Sequence, residues 1–159
     1  MNLRNSLLHI LKQWPIESLT QFKDNNLARF VRKEITNCVK LIVDSEDYIV
    51  KASAGAGNWA DVPWLSILDT SITTSTERGY YPVYLFRPDG SGVFLSFGFG
   101  VTEIKNQYRK DFKKVVSTYA EEIREHFFPS SGWNSGTLDL QANTNLGKSY
   151  GLASAGYKF

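Results

Sequence analysis

Hydrophobic positions along this chain change their period twice. Leu3, Leu7, Leu8, Ile10 and Leu11 recur at helical spacing, and Pro15 is expected to end that helix because the residue before a proline is pushed out of the α region. A second helical stripe follows the cap candidates Asp24, Asn25 and Asn26 and carries Leu27, Phe30, Val31, Ile35, Val39 and Ile42. Cys38 falls on that stripe and reads as a small buried hydrophobe, since nothing beside it supplies a base. From Tyr48 to Gly100 the texture becomes short β-branched and aromatic runs, YIVKASAGAGNW, VPWLSIL, YYPVYLF and GVFLSFGFG, separated by Gly, Asp and Pro. These read as four strands. The break Arg87, Pro88, Asp89, Gly90 has hairpin chemistry, so the last two runs should pair antiparallel.

The helical period then returns from about Glu103 to Phe128, with Ile104, Tyr108, Phe112, Val115, Tyr119, Ile123 and Phe127 three or four apart and Pro129 as the stop. The last thirty residues are rich in Gly, Ser and Asn and weakly patterned, with Leu138 and Leu140 suggesting one short element. No closing amphipathic element is evident there, and we expect the chain to be the N-terminal piece of a longer protein. Helices, a strand meander and a long helix in that order predict an α+β fold, with a central, mainly antiparallel sheet of about four or five strands flanked by helices.

Length and composition sharpen this picture. A chain of 159 residues with 42% hydrophobic and 21% charged positions is long enough to bury one core and short for two, so a single folded domain over residues 1–159 is expected. The net charge of +2 excludes a nonspecific nucleic-acid coat, and any nucleic-acid binding must come from local patches or shaped pockets. One cysteine excludes an internal disulfide and a cysteine-built zinc site, and fits a reducing cytoplasm. The N-terminal apolar stretch is broken by His9 and Lys12, too short for a spanning helix or a secretory signal.

A search for catalytic chemistry finds little. His9 and His126 have no second ligand at metal spacing and read as ordinary solvated or interfacial histidines. Gly147, Lys148 and Ser149 match the end of a phosphate loop, but Ala142 stands where its leading glycine is required. Gly55 and Gly57 form a GxG with Ala60 at the third glycine position and no helical pattern after it. The central strands carry almost no acids, which argues against metal-dependent cleavage. No cofactor and no resident enzymatic activity are expected.

What remains is aromatic. Trp59, Trp64, Tyr80, Tyr81, Tyr84 and Phe86 gather around glycine-rich turns, with Ser53, Asn58 and Ser66 nearby. Such residues most often build an ordinary sheet core, and they are also what a site that holds an unstacked base uses. Alternation puts Tyr81, Val83 and Leu85 on one strand face and Tyr80, Tyr84 and Phe86 on the other. If helices cover only one face, the second is left to line a pocket or dock a partner. Lys105, Arg109 and Lys113 form an i, i+4 stripe at the helix N-terminal end, where cations oppose the macrodipole; they suit either a solvated face or phosphate. Lys51, Arg78 and Arg87 near strand ends are further phosphate candidates.

The stretch Ala52–Gly100, with the G-x-G-N-aromatic turn at Gly55, Gly57, Asn58 and Trp59, V-P-W at Val62 to Trp64, G-Y-Y-P-V at Gly79 to Val83 and the following G-V-F-L-S strand, resembles the N-terminal domain of McrB-like restriction proteins. The resemblance implies a DNA-recognition domain that rotates 5-methylcytosine or a related modified cytosine out of the duplex into an aromatic pocket. It implies Trp64 and Tyr81 as pocket walls and Leu85 at the methyl group, with the turn Gly55, Ala56, Gly57, Asn58, Trp59 entering the duplex. An aromatic stands between the two glycines in the best-known bacterial member; here that position is Ala56, and Trp59 is the nearest residue able to fill the vacated stack. The partners implied are double-stranded DNA with modified cytosine, a following AAA+ GTPase module, and a nuclease subunit with which the parent protein assembles as an oligomer. A module that docks a restriction partner through its aromatic sheet face is the competing expectation, and salt dependence separates the two.

Overall fold

The arginine–proline–aspartate–glycine break makes the hairpin its chemistry predicts. In the computed structural model, which describes residues 1–43, 45–127 and 132–159, β3 (Tyr80–Phe86) pairs antiparallel with β4 (Val93–Phe99), with Phe86 opposite Val93. Asp89 accepts the Ser91 N–H at 2.9 Å. Gly90 takes φ +73°, and a Cβ there would sit 2.3 Å from the Leu11 carbonyl, so both conformation and space call for glycine. With β1 (Tyr48–Ser53) and β2 (Trp64–Asp69) these strands form an antiparallel meander in chain order, β1-β2-β3-β4-β5. The fifth strand, β5 (Ser154–Lys158), comes from the weakly patterned tail and pairs with β4 across a register shift at Phe97/Gly98.

Helices cover one sheet face. α1 (Leu3–Glu17) buries Ile10 and Trp14. A second helical run comprises α2 (Asn26–Arg29), a π-helical turn at Phe30–Glu34 and α3 (Ile35–Val43), capped by Asn25, whose side chain accepts from Leu27 and Ala28 N–H. These pack on Val50, Leu65, Tyr84 and Phe86. The opposite face, bearing Trp64, Leu68, Tyr81, Val83, Leu85 and Phe94, is covered by Leu138, Leu140, Ala142 and Tyr150 from the tail. A third cluster joins Phe99 and Val101 to α4 (Thr102–Tyr108) and α5 (Phe112–Phe127). α6 (Asn145–Leu152) precedes β5. No helix among the described residues is long and apolar enough to cross a membrane.

Four expectations are corrected. α1 runs through Pro15 to Glu17: proline biases the preceding residue without barring it, and Trp14, 1% exposed, is held by core contacts worth about 3–5 kcal/mol for a buried aromatic. The π-helical turn adds a residue to one turn, so Leu27, Val31, Ile35 and Val39 stay buried at four-residue spacing while the stripe rotates past Cys38 and Ile42. Ile42 is 60% exposed, and Cys38 is half-buried with Sγ 3.5 Å from the Met1 carbonyl. The single long helix from Glu103 is two, broken by a 3-10 turn at Arg109–Asp111 with Arg109 at φ +43°; its expected end at Phe128 and Pro129 lies outside the described residues. Finally, Leu138 and Leu140 belong to no regular element, while α6 and β5 close the tail onto the sheet.

The tail is tied down by a carboxylate. Asp61 Oδ2 accepts from the Asn143 N–H at 2.8 Å, the Thr144 N–H at 2.8 Å and Thr144 Oγ1 at 3.0 Å, and Oδ1 accepts from Asn143 Nδ2 at 3.1 Å. Thr144 in turn caps α6 by accepting the Gly147 N–H. Burial alone would raise the Asp61 carboxyl, but these donors favour its ionised form and hold it below the usual carboxylate range. The segment that looked like the end of a phosphate loop is therefore a helix whose N-terminal turn is already occupied by a carboxylate of the same chain.

Candidate nucleic-acid interface

Both sheet faces are covered among the described residues, so the open aromatic face considered as a docking surface is not there. Tyr84 and Phe86 belong to the helix-covered core, as ordinary strand alternation would have it. On the other face the cover is incomplete. Tyr81, Val83 and Leu85, alternating along β3, line a recess of about 180 Å³ together with Trp64, which stands directly opposite Leu85 on β2. Gly98 lies opposite Tyr81 and contributes floor without bulk. Tyr150 from α6 and Ala153 form the far wall, and Thr76, Glu77, Val101 and Thr102 frame the rim.

The aromatic walls are fixed by hydrogen bonds. The Tyr81 hydroxyl donates to the Thr76 carbonyl at 2.6 Å, and the Trp64 indole N–H meets the Tyr150 hydroxyl. Burial, reinforced for Tyr81 by the neighbouring Tyr150, pushes both phenols above the ordinary tyrosine range. They stay neutral and present flat rings rather than charge. The rim loop is laced as tightly: Thr73 Oγ1 donates to the Ser75 and Arg78 carbonyls, and the Gly100 N–H donates to the Gly79 carbonyl. The lining holds one carboxylate, Glu77, and no His, Cys, Lys or Arg. An enclosure of about 150 Å³ with apolar walls accepts one six-membered ring, so the size of this recess suits a single planar ring.

The turn between β1 and β2 divides into an anchored and an exposed part. The Ala60 N–H closes it onto the Ala54 carbonyl at 2.8 Å, and Gly55 and Gly57 take φ of +121° and +78°. Trp59 packs edge-on to Trp14 and Phe22, ring centroids 5.0 and 5.2 Å away, and its indole donates to the Thr20 carbonyl. It is packed against the helical core while remaining half-buried. Ala56, Gly57 and Asn58 are the exposed tip.

The basic residues separate into bound and free. Lys51 Nζ donates to the Thr74 carbonyl at 2.8 Å. Arg87 donates to the Asp139 carbonyl and lies over the Phe94 and Phe159 rings, tying the hairpin to the tail. Arg78 lies beside Gly79 in a separate hollow with Tyr80 and Gln107. The helix break removes the continuous stripe Lys105–Arg109–Lys113: Lys105 and Lys113 converge on one cleft of about 640 Å³ and are joined there by Lys148 of α6, while Arg109 sits in the break. That cleft also holds Asp139, engaged with Gln141. It adjoins the recess across α6, whose Tyr150 faces one and Lys148 the other. His9 stacks edge-on to Phe30, and His126 Nδ1 lies 2.7 Å from the Glu122 carbonyl on its own helix. Among the described residues no cluster of His, Cys, Asp and Glu is arranged to hold a metal.

Tyr150 and Lys148 were not anticipated from the sequence. The available signal was Thr144 as a cap with Leu146 and Tyr150 four apart, a helical pattern obscured by the glycines at 147 and 151. The family described as MrcB-like, N-terminal domain matches the chain over residues 9–159. No curated protein matches it.

Proposed function

The chain belongs to the MrcB-like N-terminal domain family, and from that premise we propose that it is the DNA-recognition module of a modification-dependent restriction system, reading a modified cytosine extruded into the recess beneath Tyr150. The observation that carries this reading is the recess itself: Trp64 of β2 and Tyr81 and Leu85 of β3 line one recess with room for a single ring. Trp64 and Tyr81 supply faces for the base, and Leu85 supplies an apolar surface for the methyl group. Extrusion costs a few kcal/mol, and stacking recovers about 1–3 kcal/mol per base, with phosphate contacts adding the rest. Recognition of one methyl group in an apolar pocket is worth only about 1–3 kcal/mol, so moderate selectivity over unmodified cytosine is expected.

In this reading the tip Ala56–Asn58 approaches the vacated stack, and the Lys105, Lys113 and Lys148 cleft follows the backbone. The chain itself performs no chemistry. Nucleotide hydrolysis belongs to an AAA+ module of the parent protein and cleavage to a nuclease subunit, the whole assembling in the cytoplasm. The test is fluorescence anisotropy with matched duplexes carrying one unmodified, 5-methyl or 5-hydroxymethyl cytosine, at two salt concentrations. Tighter binding to a modified duplex, abolished by Trp64→Ala, is the expected outcome; equal, feeble binding to all three would refute it.

A further inference from the structure

5-Methylcytosine and thymine carry the same methyl group and differ at C4, an amino donor in one and a carbonyl acceptor in the other. An apolar wall that accepts the methyl cannot separate them, so a polar group at the ring edge must. Around the recess, most polar groups are already engaged: the Thr76 carbonyl by Tyr81, and the Tyr150 hydroxyl by Trp64. The Thr76 and Thr102 hydroxyls at the rim can donate or accept and discriminate neither base. Glu77 differs from all of these. Its backbone is fixed on both sides, the N–H donating to Ser75 Oγ and the carbonyl accepting from the Glu103 N–H, each at 3.2 Å. Its carboxylate has no hydrogen bond or ion pair to any described residue.

We infer that Glu77 is the specificity-determining residue that accepts the exocyclic amino group of an extruded cytosine and rejects thymine; this rests on the base-flipping reading above. The amino group donates to the carboxylate, whereas thymine would bring its C4 carbonyl against a second acceptor, leaving both unpaired. Base identity is then read at the rim by Glu77 and modification state at the wall by Leu85, so the two selectivities are separable by mutation.

The experiment measures wild type, Glu77→Gln and Glu77→Ala on duplexes carrying 5-methylcytosine or thymine opposite an abasic site, where pairing no longer biases extrusion, and on matched duplexes with 5-methylcytosine or cytosine opposite guanine. Wild type should prefer 5-methylcytosine over thymine by at least about tenfold. Glutamine, which offers both a donor and an acceptor in the same shape, should bring the two close to equal while keeping the preference for 5-methylcytosine over cytosine. Alanine should weaken 5-methylcytosine binding and, with the opposing acceptor removed, narrow the 5-methylcytosine-to-thymine ratio. Glu77 is exposed, so both variants should keep the wild-type circular dichroism spectrum and melting temperature. A 5-methylcytosine-to-thymine ratio unchanged in Glu77→Gln overturns the assignment of Glu77 alone. Loss of any wild-type preference between the two matched duplexes overturns the base-flipping reading and, with it, this inference.

Discussion

Asp61 shows how much one side chain can organise here. Its four accepted hydrogen bonds hold the backbone at residues 143 and 144, and through the Thr144 cap they set the start of α6, the helix that carries Tyr150 over the recess. The carboxylate is half-exposed, so water replaces part of what its removal leaves unpaired. Asp61→Ala should therefore cost about 1–2 kcal/mol, since hydrogen bonds to a charged group contribute about 1.5–3 kcal/mol when fully sheltered. For a domain of this length that corresponds to a fall of roughly 2–8 °C in Tm, read by thermal denaturation at neutral pH. DNA affinity should fall with it, because the wall of the recess loses its anchor. A variant with wild-type Tm would show that the tail is held by Leu138, Leu140 and β5 alone.

At the scale of elements, what was legible in the sequence and what was not have a common physical origin. Strands β1 to β4 stand out because β-branched and aromatic runs broken by Gly, Asp and Pro leave little else to form; alternation puts Tyr81 and Leu85 on one strand face, whereas the choice of Trp64, Tyr81 and Leu85 as pocket residues comes from the resemblance to McrB-like domains, because alternating aromatics in strands are as readily plain core. The helix break at Arg109 is invisible because Ile104 to Ile123 keeps a helical period through it; packing of Ile104 on one side and Val116 on the other decides it. Arg109→Gly tests the break: φ +43° is costly for arginine and easy for glycine, so the substitution should leave stability unchanged or raise it by up to about 1 kcal/mol. In an unbroken helix the same change would lower stability by about 1 kcal/mol, so chemical denaturation distinguishes the two by sign. The β1–β2 turn yields to the same treatment. With Trp59 packed against the helical core, Ala56 is the exposed position from which a ring can reach a base stack, and Ala56→Tyr should tighten binding to a modified duplex roughly five- to a hundredfold, the range expected for one base-stacking ring. Unchanged affinity would place the turn away from the DNA.

For the whole molecule, the buried phenols and the tail clamp together define a pH window. Tyr81, Tyr84 and Tyr150 have their ionisation raised by burial. The unfolded chain therefore releases these protons near pH 10 while the folded chain retains them, and the stability they contribute is complete below about pH 10 and declines as pH rises beyond it. Asp61 acts in the opposite sense. Its folded carboxyl is held low, so its contribution is complete above about pH 4 and is lost as pH falls through the folded value. Tm should accordingly be flat between these limits and fall at both ends. Single substitutions separate the two limbs: Tyr150→Phe should flatten part of the alkaline decline without touching the acid limb, and Asp61→Asn should flatten part of the acid limb without touching the alkaline one, the Asp69 and Asp89 carboxyls, also held low, supplying a remainder. The alkaline limb bears directly on the recess, since two of its three phenols are the recess walls. If Tyr150→Phe leaves the alkaline decline unaltered, Tyr150 is solvated in solution and the closed, neutral aromatic enclosure is not the state that meets DNA.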